Sequence, residues 1–196
     1  MREVEILFKV FENSNRCLSK LKRFKFKGKE KISDIYFYDP KKDNLKPNSS
    51  GTLMECFRLR NNNGVIFMTY KVDNYNKEGL WIHSDEREIQ VSDLKEAMCI
   101  IKLLGYKKML EIKNKRHVFV CGDFNIISEE VKNLGNFLEI EKVTKSDGPN
   151  DLNIRNQIYK IAKKTKLRLE EINMGKPQLM LKKLKQLCRK ISEKYN

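Results

Sequence analysis

Charged side chains are sorted by sign from one predicted strand to the next, and this sorting constrains the fold more than any other feature of the sequence. Each such stretch alternates charged with apolar residues, which is the two-residue period of a β-strand. The acidic stretches carry Glu86 with Glu88 and Glu139 with Glu141, and the basic stretch carries Arg58 with Arg60. Charges that face water would also alternate, and for a single strand that is the favoured interpretation. Solvent-facing strands usually mix both signs, so the sorting favours acids and bases on separate walls of one enclosed space.

The start of the chain has the same layout, because Glu3, Glu5 and Lys9 share one face and apolar residues occupy the other. We therefore predict an α+β fold in which a closed antiparallel β-barrel carries helices on its apolar outer face. Charges inside a barrel are costly unless they meet a counter-charge or a ligand. Arginine and lysine suit phosphate oxygens, and clustered carboxylates suit a hard cation such as Mg²⁺. A metal-bound triphosphate would satisfy both walls.

Turn residues and capping residues predict the order of the elements. The predicted strands are the first ten residues, Ser33 to Tyr38, Phe57 to Asn61, Val65 to Val72, Glu86 to Val91, Met109 to Val120, Asp123 to Ile127 and Leu138 to Val143. The predicted helices run from a Ser14 cap to about Phe24 and from a Ser92 cap to Leu104, which Gly105 ends, and two more form the tail, the second with Pro177 in its first turn. The segment KFKGKEK is predicted as a turn.

A length of 196 residues predicts one domain over 1–196, with 40% hydrophobic and 34% charged residues. No apolar stretch approaches the roughly 20 residues that cross a bilayer, and the first residues do not resemble a signal peptide, so we expect a cytoplasmic protein with no membrane partner. The five cysteines form no C-x-x-C pair, which favours neither disulfides nor zinc. The net charge of +15 implies an anionic partner, and residues 157–196 carry +9 of it.

Six motifs come in the order seen in one known family. They are EVE at Glu3 to Glu5, FRLR at Phe57 to Arg60, MTYK at Met68 to Lys71, EREIQVSD at Glu86 to Asp93, LLGYKK at Leu103 to Lys108 and LGNFLEIE at Leu134 to Glu141. In this the chain resembles the CYTH superfamily, which takes its name from class IV adenylyl cyclases and thiamine triphosphatases. The resemblance covers residues 1–141 as tunnel strands and packing helices, with 142–196 as closing helices. It implies a triphosphate tunnel.

The resemblance also implies roles for individual residues. The metal, Mg²⁺ or Mn²⁺, is expected at Glu3, Glu5, Glu86, Glu88, Glu129, Glu139 and Glu141. The triphosphate is expected at Lys9, Arg58, Arg60, Lys71, Arg116 and Lys113. In the KNKR stretch either Lys113 with Lys115 or Asn114 with Arg116 could face inward, and we favour Arg116.

The resemblance implies a metal-dependent enzyme acting on a nucleoside or organic triphosphate, such as ATP, thiamine triphosphate or tripolyphosphate. The LGNFLEIE ending is more similar to the cyclase branch, although cyclisation and hydrolysis both stay open. Leu7 stands where the family has a Lys, for which Lys9 could substitute, and Ser84 stands where many members carry an Arg. A non-catalytic nucleotide or polyphosphate binder is therefore an alternative. A nucleic-acid-binding module that uses the basic tail is a further one, and monomer and homodimer both stay open.

Overall fold

The computed structural model describes residues 1–49, 51–144 and 151–195, with side chains described as far as residue 189. Its strands are β1 (Arg2–Val10), β2 (Lys25–Tyr38), β3 (Glu55–Asn62), β4 (Val65–Tyr75), β5 (Trp81–Val91), β6 (Lys107–Cys121), β7 (Phe124–Val131), β8 (Gly135–Thr144) and β9 (Leu169–Ile172). Its helices are α1 (Ser14–Leu21), α2 (Leu94–Leu103), α3 (Asp151–Thr165) and α4 (Lys176–Tyr195).

The first eight strands close into an antiparallel barrel. Neighbouring strands follow the order β5-β4-β3-β2-β6-β7-β8-β1, and β1 then pairs with β5 to complete the ring. The closing contact pairs Arg2 with Asp85 and Glu3 with Ser84, and the Glu86 amide donates to the Met1 carbonyl at 2.8 Å. The predicted α+β barrel is confirmed.

Strand β1 divides its second edge between two partners. Its first residues pair with β5, whereas Leu7 to Val10 pair with the short strand β9. Strand β9 therefore lies against the ring where β1 and β5 have diverged, and it brings the start of α4 to that position.

The helices cover the apolar outer face of the barrel. Helix α3 packs on the outward residues of β1 and helix α1 packs on β7, and the fully buried Leu21 and Ile158 share one core cluster with Val4 and Ile6. Helix α2 packs over β2 and β3 through Ala97 and Ile101. This packing is the apolar outer layer that the alternating pattern predicts, and it directs the alternate residues inward.

Three predictions about local structure were wrong. KFKGKEK forms the first half of β2, because its backbone pairs with β6 from Val120 to Lys115. The caps of α1 and α2 are Asn13 and Asp93, each one residue from the predicted serine. The tail contains a strand, β9, between its two helices, whose pairing with β1 joins segments far apart in the sequence.

Other local predictions were confirmed. Gly105 follows α2 with φ +91°, where a residue with a Cβ is strained, and Pro177 lies in the first turn of α4. The turn between β3 and β4 has positive φ at Asn63 and Gly64. None of the described helices has the length and apolar character needed to span a membrane.

Candidate functional site

A cavity of about 240 Å³ lies in the barrel and is lined by both signs of charge. Its basic residues are Arg58, Arg60, Lys71, Arg116 and Lys176. Its acidic residues are Glu3, Glu5, Asp73, Glu86, Glu88, Glu139 and Glu141. The charged faces of β1, β3, β5 and β8 thus look inward at one another rather than at solvent, as the sorting of charges predicts.

Three carboxylates gather on β1 and β8. One oxygen from each of Glu3, Glu5 and Glu141 lies within 4.8 Å of the others, because Glu5 and Glu141 are opposite each other in the β1–β8 register. Lys71 donates to Glu3 at 3.1 Å and also to Glu5, and Asn125 donates to Glu141 at 2.9 Å. This is the acidic wall of the cavity.

Burial controls how these carboxyl groups ionise. Desolvation raises the pKa of Glu5 to about 8, with repulsion from Glu3 and Glu139 adding to it against the attraction of Lys71. Desolvation and the same crowding raise the pKa of Glu141 well above its usual value. Burial opposes ionisation of Glu3 as well, but Lys71 outweighs it and the pKa of Glu3 is lowered. One lysine therefore does not offset three clustered carboxylates, and their crowding favours the neutral forms of Glu5 and Glu141.

The carboxylate cluster fits a hard divalent cation. Mg²⁺ and Mn²⁺ prefer carboxylate oxygens, and Glu3, Glu5 and Glu141 offer three from two adjacent strands. A divalent cation bound there would supply the positive charge that protons supply in its absence.

The basic wall is built from arginines held by acids. Arg60 makes two hydrogen bonds to Asp34, at 2.8 and 2.9 Å, across the β2–β3 pair, and Arg58 donates to Glu86 at 3.1 Å. The Nε atoms of Arg58 and of Arg116 are buried and have no acceptor within the described parts of the chain. Buried donors of this kind normally have a partner, so the cavity has hydrogen-bonding capacity for an anion.

Arg116 belongs to a second group of ion pairs. It lies 2.9 Å from Glu129 and 3.9 Å from Glu139, and Lys176 contacts the same two carboxylates. Burial raises the pKa of Glu139, but Lys176 and Arg116 outweigh it and the pKa is lowered. Asn114 donates to Glu129 at 2.8 Å. The inward pair in the KNKR stretch is therefore Asn114 with Arg116.

Three predicted site residues lie outside the cavity. Lys9 is exposed beyond the end of the barrel interior, with its Nζ 5.6 Å from the centre of the Phe11 ring. Lys113 projects from the outer face of β6, because only the even-numbered residues of this stretch face inward, and it pairs with Glu111 at 3.0 Å. Glu129 points inward but is only 1% exposed, enclosed by its ion pairs rather than open to a ligand.

Several residues that line the cavity, or that hold its lining residues in place, were not predicted as site residues. Lys176 comes from the tail, and no local pattern distinguishes it from the other tail lysines. Trp81 lines the cavity, with Lys71 Nζ 5.2 Å from the centre of its indole ring. Ser84 donates to Asp73 at 2.7 Å and accepts from Trp81 at 3.0 Å, so a hydrogen-bonded group occupies the position of the family's arginine. Asp34 could have been found, because it is on the charged side of a predicted strand beside the arginines.

Below the charged cavity, the barrel interior is apolar. Leu7, Tyr36, Ile112, Phe137 and Met180 belong to one buried cluster there. Leu7 and Tyr36 also line the cavity, so they form the boundary between the two parts. The interior is closed by packing on this side.

The charged tunnel has the features of a CYTH domain, and the CYTH domain family profile matches residues 1–173. The chain belongs to this family. It is 32% identical over 147 residues to a Methanocaldococcus jannaschii protein named "Putative adenylate cyclase", an alignment that covers 72% of this chain and 77% of that protein.

Solved structures share the fold. The PH1819 protein of Pyrococcus horikoshii has a TM-score of 0.77 and 26% identity, covering 92% of this chain and 99% of that one. A Hippeastrum protein described as a "putative adenylyl cyclase" with a dominant triphosphatase activity has a TM-score of 0.60 at 16% identity, covering 89% of this chain and 92% of that one. At that identity the likeness to the Hippeastrum protein shows the fold alone.

Proposed function

We propose that this protein is a metal-dependent enzyme that acts on a nucleoside or organic triphosphate inside the barrel. The observation that carries the proposal is the pairing of walls in one cavity: arginines with unsatisfied buried donors oppose a cluster of three carboxylates. Arg58, Arg116 and Lys71 would hold the phosphates. Glu3, Glu5 and Glu141 would hold Mg²⁺ or Mn²⁺.

The balance of charge supports a metal together with the anion. Among the described residues that line the cavity, seven are acidic and five are basic. A polyanion can enter such a site only if divalent cations or protons offset the carboxylates. Bound metal would neutralise charge that develops on the phosphate oxygens, and the fixed basic residues would position the substrate without covalent catalysis.

The size of the cavity indicates that only the phosphate part of the substrate lies inside it. Ligand pockets commonly measure about 300–1,000 Å³, so a cavity of about 240 Å³ suits the phosphate part better than a whole nucleotide. The apolar cluster closes the cavity at the end where Leu7 lies. The organic group is therefore proposed to extend toward Met1, Glu88 and Val143, which line the cavity on the other side.

Two reactions fit this arrangement, and both relatives bear on them. In hydrolysis a water oxygen bonds to the terminal phosphorus, the bond from that phosphorus to the bridging oxygen breaks, the diphosphate part leaves with that oxygen, and orthophosphate forms as a water proton passes to solvent. In cyclisation the ribose 3′-hydroxyl oxygen bonds to the α-phosphorus, pyrophosphate leaves and the hydroxyl proton passes to solvent. The name of the M. jannaschii relative favours cyclisation, and the described triphosphatase activity of the Hippeastrum protein supports only that a protein of this fold can hydrolyse a triphosphate.

The test measures orthophosphate, pyrophosphate and cyclic nucleotide released from ATP, GTP, thiamine triphosphate and tripolyphosphate, with Mg²⁺, with Mn²⁺ and with chelator. We expect turnover with metal that falls at least tenfold in Arg58→Met, because a charge-assisted hydrogen bond contributes about 1.5–3 kcal/mol. Arg87→Met is the matched control, since Arg87 is an exposed neighbour of Glu86 on the same sheet. It should leave turnover unchanged.

Other results would select the alternatives. Micromolar binding of all these compounds without turnover would identify a non-catalytic binder and contradict the enzyme proposal. Absence of both binding and turnover, together with steeply salt-dependent RNA or DNA binding that is lost without residues 157–196, would favour the nucleic-acid-binding module.

A further inference from the structure

Lys176 is part of the cavity wall although it belongs to the C-terminal tail. It is the first residue of α4, its side chain is 11% exposed, and its ammonium group donates to Glu129 at 2.8 Å and to Glu139. Gly175 and Pro177 line the cavity beside it. The described structure thus places a cation from outside the barrel ring among the charges within it.

The register of β1 shows which position this cation serves. Leu7 is opposite Glu139 across the β1–β8 pair and opposite Ile172 across the β1–β9 pair. The chain leaves β9 at Ile172 and reaches Lys176 four residues later. Lys176 therefore pairs with Glu139, the carboxylate opposite Leu7. At the position of Leu7 the CYTH family has a lysine.

The start of α4 is held firmly in this position. Asn173 accepts a hydrogen bond from the Trp81 amide and donates one to the Gly79 carbonyl, both at 2.8 Å. On the other side of Lys176, Gln178 donates to the Gly51 carbonyl at 3.0 Å and Met180 is buried in the apolar cluster. These contacts restrict where the Lys176 ammonium can lie, which lowers the entropic cost of using it to bind a ligand.

We infer that Lys176 supplies the phosphate-binding cation that Leu7 cannot provide, an inference that rests on the proposed triphosphate site. An ammonium group has three N–H donors, and Glu129 and Glu139 are its two acceptors within the described chain. Arg116 contacts the same two carboxylates. Lys176 can therefore direct a donor to a phosphate oxygen while those acids keep a counter-charge.

The experiment is calorimetric titration with tripolyphosphate, with Mn²⁺ and without metal. Removing Lys176 alone would leave Glu129 and Glu139 with one cation, Arg116, for two buried carboxylates. The reference is therefore Glu129→Gln, which removes one of these negative charges, and the test variant is Glu129→Gln/Lys176→Met. We expect at least tenfold weaker binding in the double variant. Lys182→Met, on the exposed face of α4, is the control and should bind as wild type does.

Two further variants separate phosphate binding from anchoring of α4. Adding Leu7→Lys to the double variant puts a lysine on β1 and should return the affinity to within about threefold of the reference. Glu129→Gln/Lys176→Arg, which keeps the cation in place, should bind within the same range. A lysine that only anchors α4 would instead change the unfolding midpoint, and not the affinity of the folded protein.

The failures are distinguishable. If wild type binds tripolyphosphate and the double variant binds as tightly as the reference, the role of Lys176 is overturned and the triphosphate site stands. If affinity falls in the double variant but neither cation-bearing variant restores it, the role is also overturned, because the loss would come from displacement of α4. If wild type binds no tripolyphosphate, both proposals fail.

Discussion

The two halves of the barrel interior use the same strands for opposite purposes. On β1 the inward residues change from Glu3 and Glu5 to Leu7, and on β8 they change from Glu139 to Phe137. The charged half contains crowded, buried carboxyl groups whose pKa values are raised. The apolar half is a closely packed cluster that includes a residue from α4.

This difference indicates that one half of the interior stabilises the fold and the other half binds the ligand. Burying a charge costs free energy even when it is paired, so a ring of charges is a poor source of stability. Burying Leu7 and Phe137 removes apolar surface from water and provides stability directly. The apolar half should therefore hold the barrel together, while the charged half is kept for binding.

The largest expected effect tests the apolar half. Phe137→Ala should lower the free energy of unfolding by about 3–5 kcal/mol, because it leaves a cavity among side chains that cannot fully collapse. Urea unfolding gives the value, with Leu103→Ala as the control because Leu103 is 81% exposed. A loss below about 1 kcal/mol would show that this cluster does not stabilise the barrel.

The next effect is the pH dependence of the metal-free protein. Glu5 has a folded-state pKa of about 8 against an ordinary value of 4.5, so its folded form binds a proton more tightly than its unfolded form. Its contribution to stability is complete below pH 4.5 and is lost as the pH rises toward 8. Glu141, Glu86 and Asp73 also have raised pKa values and act in the same direction.

Between pH 5 and pH 8 we expect a loss on the order of 3 kcal/mol, since one pKa unit corresponds to about 1.4 kcal/mol and most of the rise in the pKa of Glu5 lies inside this window. Urea unfolding in chelator at pH 5, 6.5 and 8 gives the slope. Asp34 and Glu139 do not mask it, because their lowered pKa values act below pH 4.5. Stability that rises across this window would contradict the protonated state of the cluster.

A smaller effect separates metal binding from stability. Glu141→Gln replaces one of the three clustered carboxylates with an uncharged amide. It should weaken Mn²⁺ binding at least tenfold, or by about 1.4 kcal/mol. Because burial and the neighbouring carboxylates raise the pKa of Glu141 and so favour its neutral form, an uncharged amide should change the metal-free unfolding free energy by less than about 1 kcal/mol. Mn²⁺ titration and urea unfolding check the two halves of this prediction. Equal metal affinity in both proteins would remove Glu141 from the site.

The smallest effect concerns the lysines outside the cavity. Lys9→Gln and Lys113→Gln should change tripolyphosphate affinity less than about twofold at 0.15 M salt, because solvent and salt screen exposed charges. A tenfold loss in either variant would mean that the phosphate lies outside the charged half.

Local patterns predicted the parts of the fold that depend on near neighbours. The alternation in β3 and β8 and the positive φ at Gly105 follow from two-residue periodicity and from the steric cost of a Cβ. The extent of β2 could not be predicted, because Lys25 to Lys31 is strand only through its pairing with β6. The short β9 has no pattern of its own and exists through β1.

The residues of the candidate site also fall into those that the sequence predicts and those that only the tertiary structure brings together. The sequence by itself determined which strands carry acids and which carry bases, and therefore that Glu3, Glu5, Arg58 and Glu141 share one interior. Only the tertiary structure decided that Glu129 is enclosed by its ion pairs and that Lys176 joins the cavity. Which face a strand residue occupies is set by its immediate neighbours, whereas which distant charge it meets depends on how the ring closes and where the tail crosses it.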